Sequence, residues 1–198
     1  FYEYNIIHII ADDIITGISP RKNEAAQRNA IMFGLTGCND DDVIIIADVD
    51  EVPRASEVAK YKPEMGLTAL SMDNFYFWLN SLTDYDNWRM PKIMSWDFLK
   101  YRTPDEVRDS GYPTTLHNAG WHFSWIGGVE KVMEKFRNFS HQEEDVQRRA
   151  NPEELKRKID NAESMWGEGK YWGIPIGESF PEYLRNNIKE FQHLIKEI

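Results

Sequence analysis

Two carboxylates separated by one residue follow an apolar run, in the segment Asp48-Val49-Asp50-Glu51-Val52-Pro53. In an extended backbone, residues two apart project to the same side, so we expect Asp48 and Asp50 to point together. Their oxygens suit Mg²⁺ or Mn²⁺, and such an ion would neutralise a bound diphosphate. An acidic turn is the alternative interpretation. The position directly after the apolar run 43–47 favours the metal site, because open α/β sheets bind ligands at the carboxyl ends of their strands.

An arginine upstream is expected to face the same region. Arg28 shares a helical face with Ile31 and Leu35, three and seven residues further on, and this face should pack against the sheet. A guanidinium that points inward needs an anionic partner. That partner is either a phosphate of a bound nucleotide or, in a structural ion pair, a carboxylate of residues 48–51. The sequence leaves both open.

A third cluster is the segment 120–128, in which aromatic residues alternate with small and polar ones. Read as a strand, it places Trp121, Phe123 and Trp125 on one face and His122 and Ser124 on the other. The aromatic face is expected to be core. His122 then lies among small groups, with room for a metal or a ligand. A hydrogen-bonded polar residue of the fold is the alternative interpretation of His122.

Aromatic residues make up 13% of the chain and include seven tryptophans. Most of these rings are expected in the core. Sugar rings, however, stack on exposed indole faces, and a tryptophan on a polar loop needs a reason to be there. We therefore predict that Trp78 and Trp88 bind a sugar acceptor.

The elements that would position these residues follow from apolar spacing and helix-start signals. Residues 5–11 indicate a buried strand, and a helix is predicted from Ser19-Pro20 to Leu35, with Gly37 as its stop. The uninterrupted apolar run 43–47 is typical of a strand covered on both faces. Strand, helix and buried strand make a βαβ unit. We therefore predict an α/β fold with a mixed, mainly parallel sheet flanked by helices.

The remainder of the chain continues this alternation. Strands are predicted over 67–72, 74–79 and 116–125, with a polar loop over 80–91. Helices are predicted after a capping box at 103–106, from Val129, from Asn151-Pro152 and after a second capping box at 179–182. No repeat or linker divides the sequence, so residues 1–198 are predicted to form one domain.

The charge balance excludes two classes of partner. The chain carries 23 Lys and Arg against 33 Asp and Glu, a net charge of −10. Without a long basic run, it should bind neither nucleic acid nor an anionic membrane surface. Its apolar runs are far shorter than the roughly 20 residues that span a bilayer. No signal peptide is visible, so a cytoplasmic location is the expectation.

Taken in order, these segments resemble glycosyltransferase family 17, which includes the bisecting N-acetylglucosaminyltransferase and shorter microbial and viral relatives. The resemblance covers nearly the whole chain. It rests on Gln27-Arg28-Asn29-Ala30, Asp48-Val49-Asp50-Glu51-Val52-Pro53, Phe75-Tyr76-Phe77-Trp78, Ala119-Gly120-Trp121-His122-Phe123-Ser124-Trp125 and Phe139-Ser140-His141-Gln142-Glu143, together with Phe180-Pro181-Glu182-Tyr183-Leu184. Five motifs in sequence order are fairly specific.

The resemblance implies a GT-A-like fold and an inverting transfer of N-acetylglucosamine from UDP-GlcNAc to a glycan acceptor. It implies that Asp48 and Asp50 bind Mn²⁺ or Mg²⁺, with His122 as a further metal or phosphate ligand. The residues expected to contact the nucleotide are Arg28, Asn29, Asp48 and His141. Family members carry a further strand-helix unit before the segment that matches Tyr4 to Ala11. None precedes it in this sequence, so this N-terminal unit is expected to be missing.

An inverting transfer also needs a base, because the acceptor hydroxyl loses its proton as it attacks. Carboxylates that hold the metal are excluded. Strand alternation would turn Glu51 away, and Asp73 is possible but lies outside the family motifs. Within the matched motif, Glu143 is therefore predicted as the base, with His141 nearby to orient it or to bind phosphate.

Two other functions fit parts of the sequence. With Asp48 as nucleophile and Asp50 as acid–base, the chain would suit a haloacid-dehalogenase-type phosphatase, although no acidic pair at a later strand end completes that site. The tryptophans would suit a non-catalytic carbohydrate-binding protein. Such a protein needs no nucleotide, whereas a transferase should be stabilised by UDP together with Mn²⁺.

Overall fold

Short strands and helices make up the described part of the chain. The structure is a computed structural model, and it describes residues 5–11, 19–84, 87–112, 114–138, 144–167 and 169–198. The strands are β1 Val43–Ile46, β2 Glu51–Pro53, β3 Thr68–Leu70, β4 Asp73–Tyr76, β5 Ser81–Thr83, β6 Lys92–Ser95, β7 Thr114–Leu116, β8 Gly120–Ser124 and β9 Tyr171–Gly173. The helices are α1 Pro20–Asn29, α2 Ala55–Val58, α3 Trp96–Leu99, α4 Pro104–Asp109, α5 Gly128–Asn138, α6 Glu144–Gln147, α7 Pro152–Asp160, α8 Glu182–Asn186 and α9 Ile188–Phe191. Short 3₁₀ helices cover Ala30–Gly34, Pro63–Met65 and Gln192–Leu194.

The strands form two sheets joined by short connections. The first sheet has the order β1-β6-β3-β7 and the second has the order β2-β8-β4-β5-β9. Three segments of the chain pass directly from the first sheet to the second: β1 into β2, β3 into β4, and β7 into β8. The boundary between the sheets is therefore made of short turns, and one of them contains Asp48 and Asp50.

The prediction of a mainly parallel sheet is wrong. Among the described strands, five of the seven pairings are antiparallel, and only β3 with β7 and β4 with β8 run parallel. The apolar strand β1 pairs antiparallel with β6, with Ile44 opposite Met94. A continuous apolar run indicates burial, but it carries no information about the direction of the neighbouring strand. The mixed character of the sheets and the flanking helices agree with the prediction.

Residues 5–11 do not form the predicted buried strand. They pair with no described strand, and Ile6, Ile7 and Ile10 are exposed. The side chains of Ile7 and Ile9 line a groove beside the 3₁₀ helix that follows α1. Apolar residues favour an extended backbone, but a strand also needs a partner for its amide and carbonyl groups. The predicted βαβ unit is therefore not formed from these residues.

Helices were predicted more accurately than strand directions. α1 begins at Pro20 and continues as a 3₁₀ helix to Gly34, close to its predicted end. At α4 the hydroxyl of Thr103 accepts the amide of Glu106, and the Glu106 carboxylate accepts the amide of Thr103, so this capping box is confirmed. The second predicted box is wrong, because α8 starts after Pro181 without a side-chain cap. Capping signals act within one helical turn, which explains why sequence spacing reveals most of them.

Two apolar clusters hold the helices that border the boundary between the sheets. One cluster joins β1 and β6 to α3 and α4. The other joins β4 and β9 to α5 and α7. They fix α4 and α5, each of which contributes a cation to the site described below. No helix in the described ranges is both long enough and apolar enough to cross a membrane.

Candidate active site

A cavity of about 450 Å³ opens at the boundary between the sheets. Its walls come from α1, the turn between β1 and β2, the segment before β6, α4, β8 and α5. The side chains that line it are Arg21, Glu24, Arg28, Asp48, Asp50, Tyr76, Trp88, Met90, Arg108, Asp109, His122, Ser124, Trp125, Lys135 and Trp166. Of the residues that the sequence singled out, the cavity brings together Arg28, Asp48, Asp50, Trp88 and His122.

Asp48 and Asp50 lie on a tight turn and not on an extended strand. The amide of Glu51 donates to the carbonyl of Asp48 at 3.0 Å, and β2 begins only at Glu51. Val49 projects fully into solvent, while both carboxylates line the cavity. The two side chains therefore share a site as predicted, but a turn brings them there and strand alternation does not.

Glu51, which was expected to point away, anchors this turn from below. Its buried carboxylate accepts hydrogen bonds from the Arg108 guanidinium at 2.7 and 3.0 Å, from the amide of Asp48 at 2.6 Å and from the indole Nε1 of Trp88 at 2.5 Å. Arg108 also donates to the Asp48 carboxylate at 2.6 Å. A buried carboxylate is tolerated when it is paired and hydrogen-bonded in this way. Strand alternation was a wrong guide here because Glu51 closes a turn.

Arg28 faces the cavity as predicted and is held by carboxylates. Its guanidinium contacts Glu24 at 2.7 Å and Asp105 at 2.5 Å, and it lies 3.8 Å from Asp48. Asn29 is not among the cavity-lining residues, and its side-chain oxygen accepts the backbone amide of Asp105 at 3.0 Å. These contacts tie α1 to α4. Arg28 is therefore in ion pairs, but its hydrogen-bonded partners are Glu24 and Asp105 and not the expected carboxylates of residues 48–51. The nucleotide contacts of Arg28 and Asn29 stay predictions.

His122 is buried on β8 with one ring nitrogen beside the carboxylates. Its Nδ1 bonds to Oδ1 of Asn74 at 2.8 Å, and its ring stacks on Trp88 with the centroids 4.3 Å apart. Because an amide oxygen only accepts, Nδ1 carries the proton and Nε2 keeps its lone pair. Nε2 lies 3.8 Å from Oδ2 of Asp50. Burial lowers the pKa of His122 to about 4, so the ring is neutral at pH 7.

The donor atoms of Asp50, His122 and Asp48 fit a divalent ion whose remaining coordination positions are filled by the substrate. No group of three or more His, Cys, Asp or Glu side chains in the described residues could hold a metal by itself. Asp50 and the free nitrogen of His122 lie side by side, however, and Asp48 is half exposed on the same cavity. Mg²⁺ is usually held by one or two carboxylates, with phosphate oxygens and water in the other positions. Burial raises the pKa of Asp48, a shift that a bound cation would oppose.

Trp88, Trp125 and Trp166 border the cavity together with Tyr76. One face of Trp88 is covered by the His122 ring, and its Nε1 is used by Glu51, so this tryptophan has a structural reason to lie on a polar loop. Trp78 does not line the cavity and packs against the core cluster of α5 and α7. The structure thus brings only one of the two predicted acceptor residues to the site.

A glycine turn directs α5 along the cavity. Gly127 and Gly128 have φ angles of 108° and 78°, which glycine adopts far more readily than other residues. The helix that follows carries Lys135, whose ammonium lies 3.3 Å from Asp50 and 4.9 Å from the centroid of the Trp125 ring. The glycine pair therefore serves a tight turn, and that turn positions a cation.

The predicted base and its neighbour, Glu143 and His141, lie outside the described residues. Their roles stay predictions. Asp73, the alternative base, is absent from the cavity-lining residues. Among the described residues, the structure therefore adds no support for Asp73 as the base.

Sequence reasoning missed three cavity cations, Arg21, Arg108 and Lys135. Arg108 shares the buried face of α4 with Pro104 and Val107, so the helical-face argument applied to Arg28 would have found it. Lys135 gave no such signal, because it flanks the apolar stripe of α5 much as Lys131 does. Only the tertiary contact with a carboxylate on a distant turn distinguishes the two lysines.

Comparison with known proteins bears on the same segments. The model of glycosyltransferase family 17 matches residues 2–167, a range that contains every cavity-lining residue but not the segment 180–184. No curated protein and no solved structure gave a match. Because the matched range covers most of its length, the chain belongs to glycosyltransferase family 17.

Proposed function

We propose that the protein transfers N-acetylglucosamine from UDP-GlcNAc to a glycan acceptor, with inversion, in the cavity between the two sheets. Glycosyl transfer itself follows from the family. The donor, the acceptor, the metal and a GT-A-like arrangement of the sheets are the proposal. One observation carries it: the carboxylates of Asp48 and Asp50 line a cavity beside a neutral nitrogen of His122.

In this proposal, Asp50, His122 and Asp48 hold Mn²⁺ or Mg²⁺ together with phosphate oxygens of the donor, which complete the coordination. When bound, the ion supplies positive charge that stabilises the leaving diphosphate. The chain contributes orientation: Asn74 fixes the proton of His122 on Nδ1, and Arg108 fixes the Asp48 carboxylate. Partners of this kind hold a metal ligand in a fixed direction.

The other walls of the cavity are proposed to recognise the organic parts of the substrates. Tyr76, Trp125 and Trp166 offer ring edges and faces to the uracil and sugar rings of the donor. Trp88 is proposed to border the acceptor, since its ring lies next to His122 and hence beside the metal site. Arg28, 3.8 Å from Asp48, is proposed to contact the nucleotide.

The proton of the acceptor hydroxyl is proposed to pass to Glu143. An inverting displacement needs a base on the side of the sugar opposite the diphosphate. A carboxylate bound to a metal has lost most of its basicity, which excludes Asp48 and Asp50 in this scheme. Glu143 belongs to the family-matched range, and His141 is proposed to orient it or to bind phosphate.

Thermal unfolding with UDP and Mn²⁺, added singly and together, tests the proposal. Ligands at about 100 times their dissociation constant should stabilise the wild-type protein by about 2.7 kcal/mol. Asp50→Ala should lose this gain, because it removes a metal ligand. Asp41→Ala is the matched control, since Asp41 is an exposed carboxylate in the turn before β1. It should respond to UDP and Mn²⁺ as the wild type does.

The same measurement, together with two activity assays, separates the competing functions. Equal stabilisation of wild type and Asp50→Ala by UDP and Mn²⁺ would show that the metal does not bind at this turn. Stabilisation by a glycan without nucleotide would favour a carbohydrate-binding protein. Hydrolysis of a phosphomonoester, lost in Asp48→Asn, would favour the phosphatase. The transferase instead predicts release of UDP from UDP-GlcNAc that depends on the acceptor.

A further inference from the structure

The cavity is electrically balanced, which constrains how it can accept a diphosphate. The described residues that line it include four cations and four carboxylates. The cations are Arg21, Arg28, Arg108 and Lys135, and the carboxylates are Glu24, Asp48, Asp50 and Asp109. A diphosphate that enters a neutral, partly buried site needs new positive charge or a cation released from its present partner.

Two of the cavity-lining arginines, Arg108 and Arg28, are poorly suited to leave their carboxylate partners for a phosphate. Arg108 is buried and donates to Glu51 and Asp48, so its departure would leave the fully buried Glu51 carboxylate without its charge partner. Arg28 is buried between Glu24 and Asp105. Breaking a buried pair by removing one partner is strongly unfavourable. These two guanidiniums therefore shape the cavity wall.

Lys135 differs from them in exposure and in its partner. Its side chain is 37% exposed, and Asp50 is its carboxylate partner among the described residues, at 3.3 Å. The ammonium also lies over the Trp125 ring, which keeps it near the cavity by a cation–π contact. Asp50 is at the same time the carboxylate closest to the free nitrogen of His122. The lysine therefore occupies the carboxylate that a metal would use.

We propose that Lys135 is a phosphate-binding residue of the donor site, and that it leaves Asp50 for the diphosphate when a divalent ion takes its place. This inference rests on the proposed function. A metal on Asp50 repels the ammonium and frees it, and a lysine on a flexible stem binds phosphate as a point charge. The lysine thus pairs with Asp50 before a metal binds and then contributes to substrate binding.

The exchange makes two opposite predictions for Lys135→Gln. Without the competing ammonium, Mn²⁺ alone should bind about threefold or more tightly, because a positive charge next to the ion disfavours it. UDP added at saturating Mn²⁺ should bind about tenfold or more weakly, because a hydrogen bond to a charged phosphate oxygen is lost. If Lys135 had a purely structural role, the substitution would weaken the binding of both Mn²⁺ and UDP.

Isothermal titration of the unliganded protein with Mn²⁺, and of the Mn²⁺-saturated protein with UDP, measures both constants. Lys131→Gln is the matched control: it lies one turn earlier on α5, is 67% exposed and pairs only with Glu134 among the described residues. Both of its constants should stay within about twofold of wild type, because screened surface charges contribute little.

Three results would overturn the proposal. UDP affinity unchanged in Lys135→Gln would show that the lysine does not bind phosphate. Weaker binding of both Mn²⁺ and UDP would show a structural role without exchange. A wild-type protein that binds no UDP in the presence of Mn²⁺ would overturn the proposed function as well, and this outcome differs from the first because the wild type itself fails.

Discussion

Single side chains around His122 decide how the candidate metal site is held. The imidazole lies between the indole of Trp88 and the amide of Asn74, and that indole also donates to the buried Glu51. One tryptophan thus contacts both the ring that would bind metal and the carboxylate beneath the acidic turn. Trp88 therefore acts on the site through its neighbours as well as through its exposed surface.

Trp88→Phe separates these two contacts. Phenylalanine keeps an aromatic face for His122 but has no donor for Glu51, so the free energy of unfolding should fall by about 1.5–3 kcal/mol, the range for a hydrogen bond to a charged group. Urea unfolding measures this change. Trp172→Phe is the control, because Trp172 is an exposed tryptophan on β9. A similar small effect of both substitutions would contradict the importance of the Glu51 contact.

At the scale of elements, α4 connects helix capping to the site. It has only six residues, yet it carries Arg108, which holds both Asp48 and Glu51. Such a short helix gains little from its own backbone bonds and depends on its cap and its packing. The capping box of Thr103 and Glu106 therefore supports the acidic turn from the opposite end of the helix.

Thr103→Ala should lower the free energy of unfolding by about 1 kcal/mol, and Thr103→Ser should restore most of it. Hydrogen bonds from the backbone amide and from the side chain of Thr103 lower the pKa of Glu106, and Thr103→Ala removes only the side-chain contribution. A carboxylate with a lowered folded-state pKa stabilises the protein above its unfolded pKa and loses that effect as pH falls through the folded value. The difference between wild type and Thr103→Ala should therefore shrink below about pH 4. Denaturant unfolding at pH 7 and pH 3.5 measures it, and a constant difference would argue against the box.

At the scale of the whole molecule, Asn80 joins segments that are distant in sequence. Its buried side-chain amide donates to the carbonyls of Ile174 and Lys196 at 3.1 and 2.9 Å, and its oxygen accepts the amide of Lys196 at 2.7 Å. The turn between β4 and β5 is thereby fixed to the segment after β9 and to the last residues of the chain. Asn80 lies inside the family-matched range 2–167, whereas its partners Ile174 and Lys196 lie outside it.

Asn80→Ala should therefore lower the free energy of unfolding by about 2–4 kcal/mol, because three hydrogen bonds disappear and buried backbone groups lose partners. Chemical denaturation gives the value, and limited proteolysis should show earlier cleavage near the last residues. Asn186→Ala serves as control, since Asn186 is exposed at the end of α8. An effect of Asn80→Ala no larger than that of the control would mean that apolar packing alone holds this segment.

The sequence by itself determined the local features and the family. Helical spacing and caps located α1, α4, α5 and α7, because those signals act over three or four residues. The order of the motifs indicated glycosyltransferase family 17, which the match over residues 2–167 confirms. The residue types at 48 and 50 also indicated a pair of metal ligands, since carboxylates after a buried strand are a local feature.

Only the tertiary structure decided which side chains meet. The pairs Lys135 with Asp50, Arg108 with Glu51 and Trp88 with His122 join residues that lie 34 to 85 positions apart. Such contacts depend on strand order, strand direction and the rotation of a turn, and none of these leaves a periodic trace in the sequence. For the same reason the buried strand over 5–11 and the mainly parallel sheet were wrong, since apolar residues specify burial and extended backbone but not a partner.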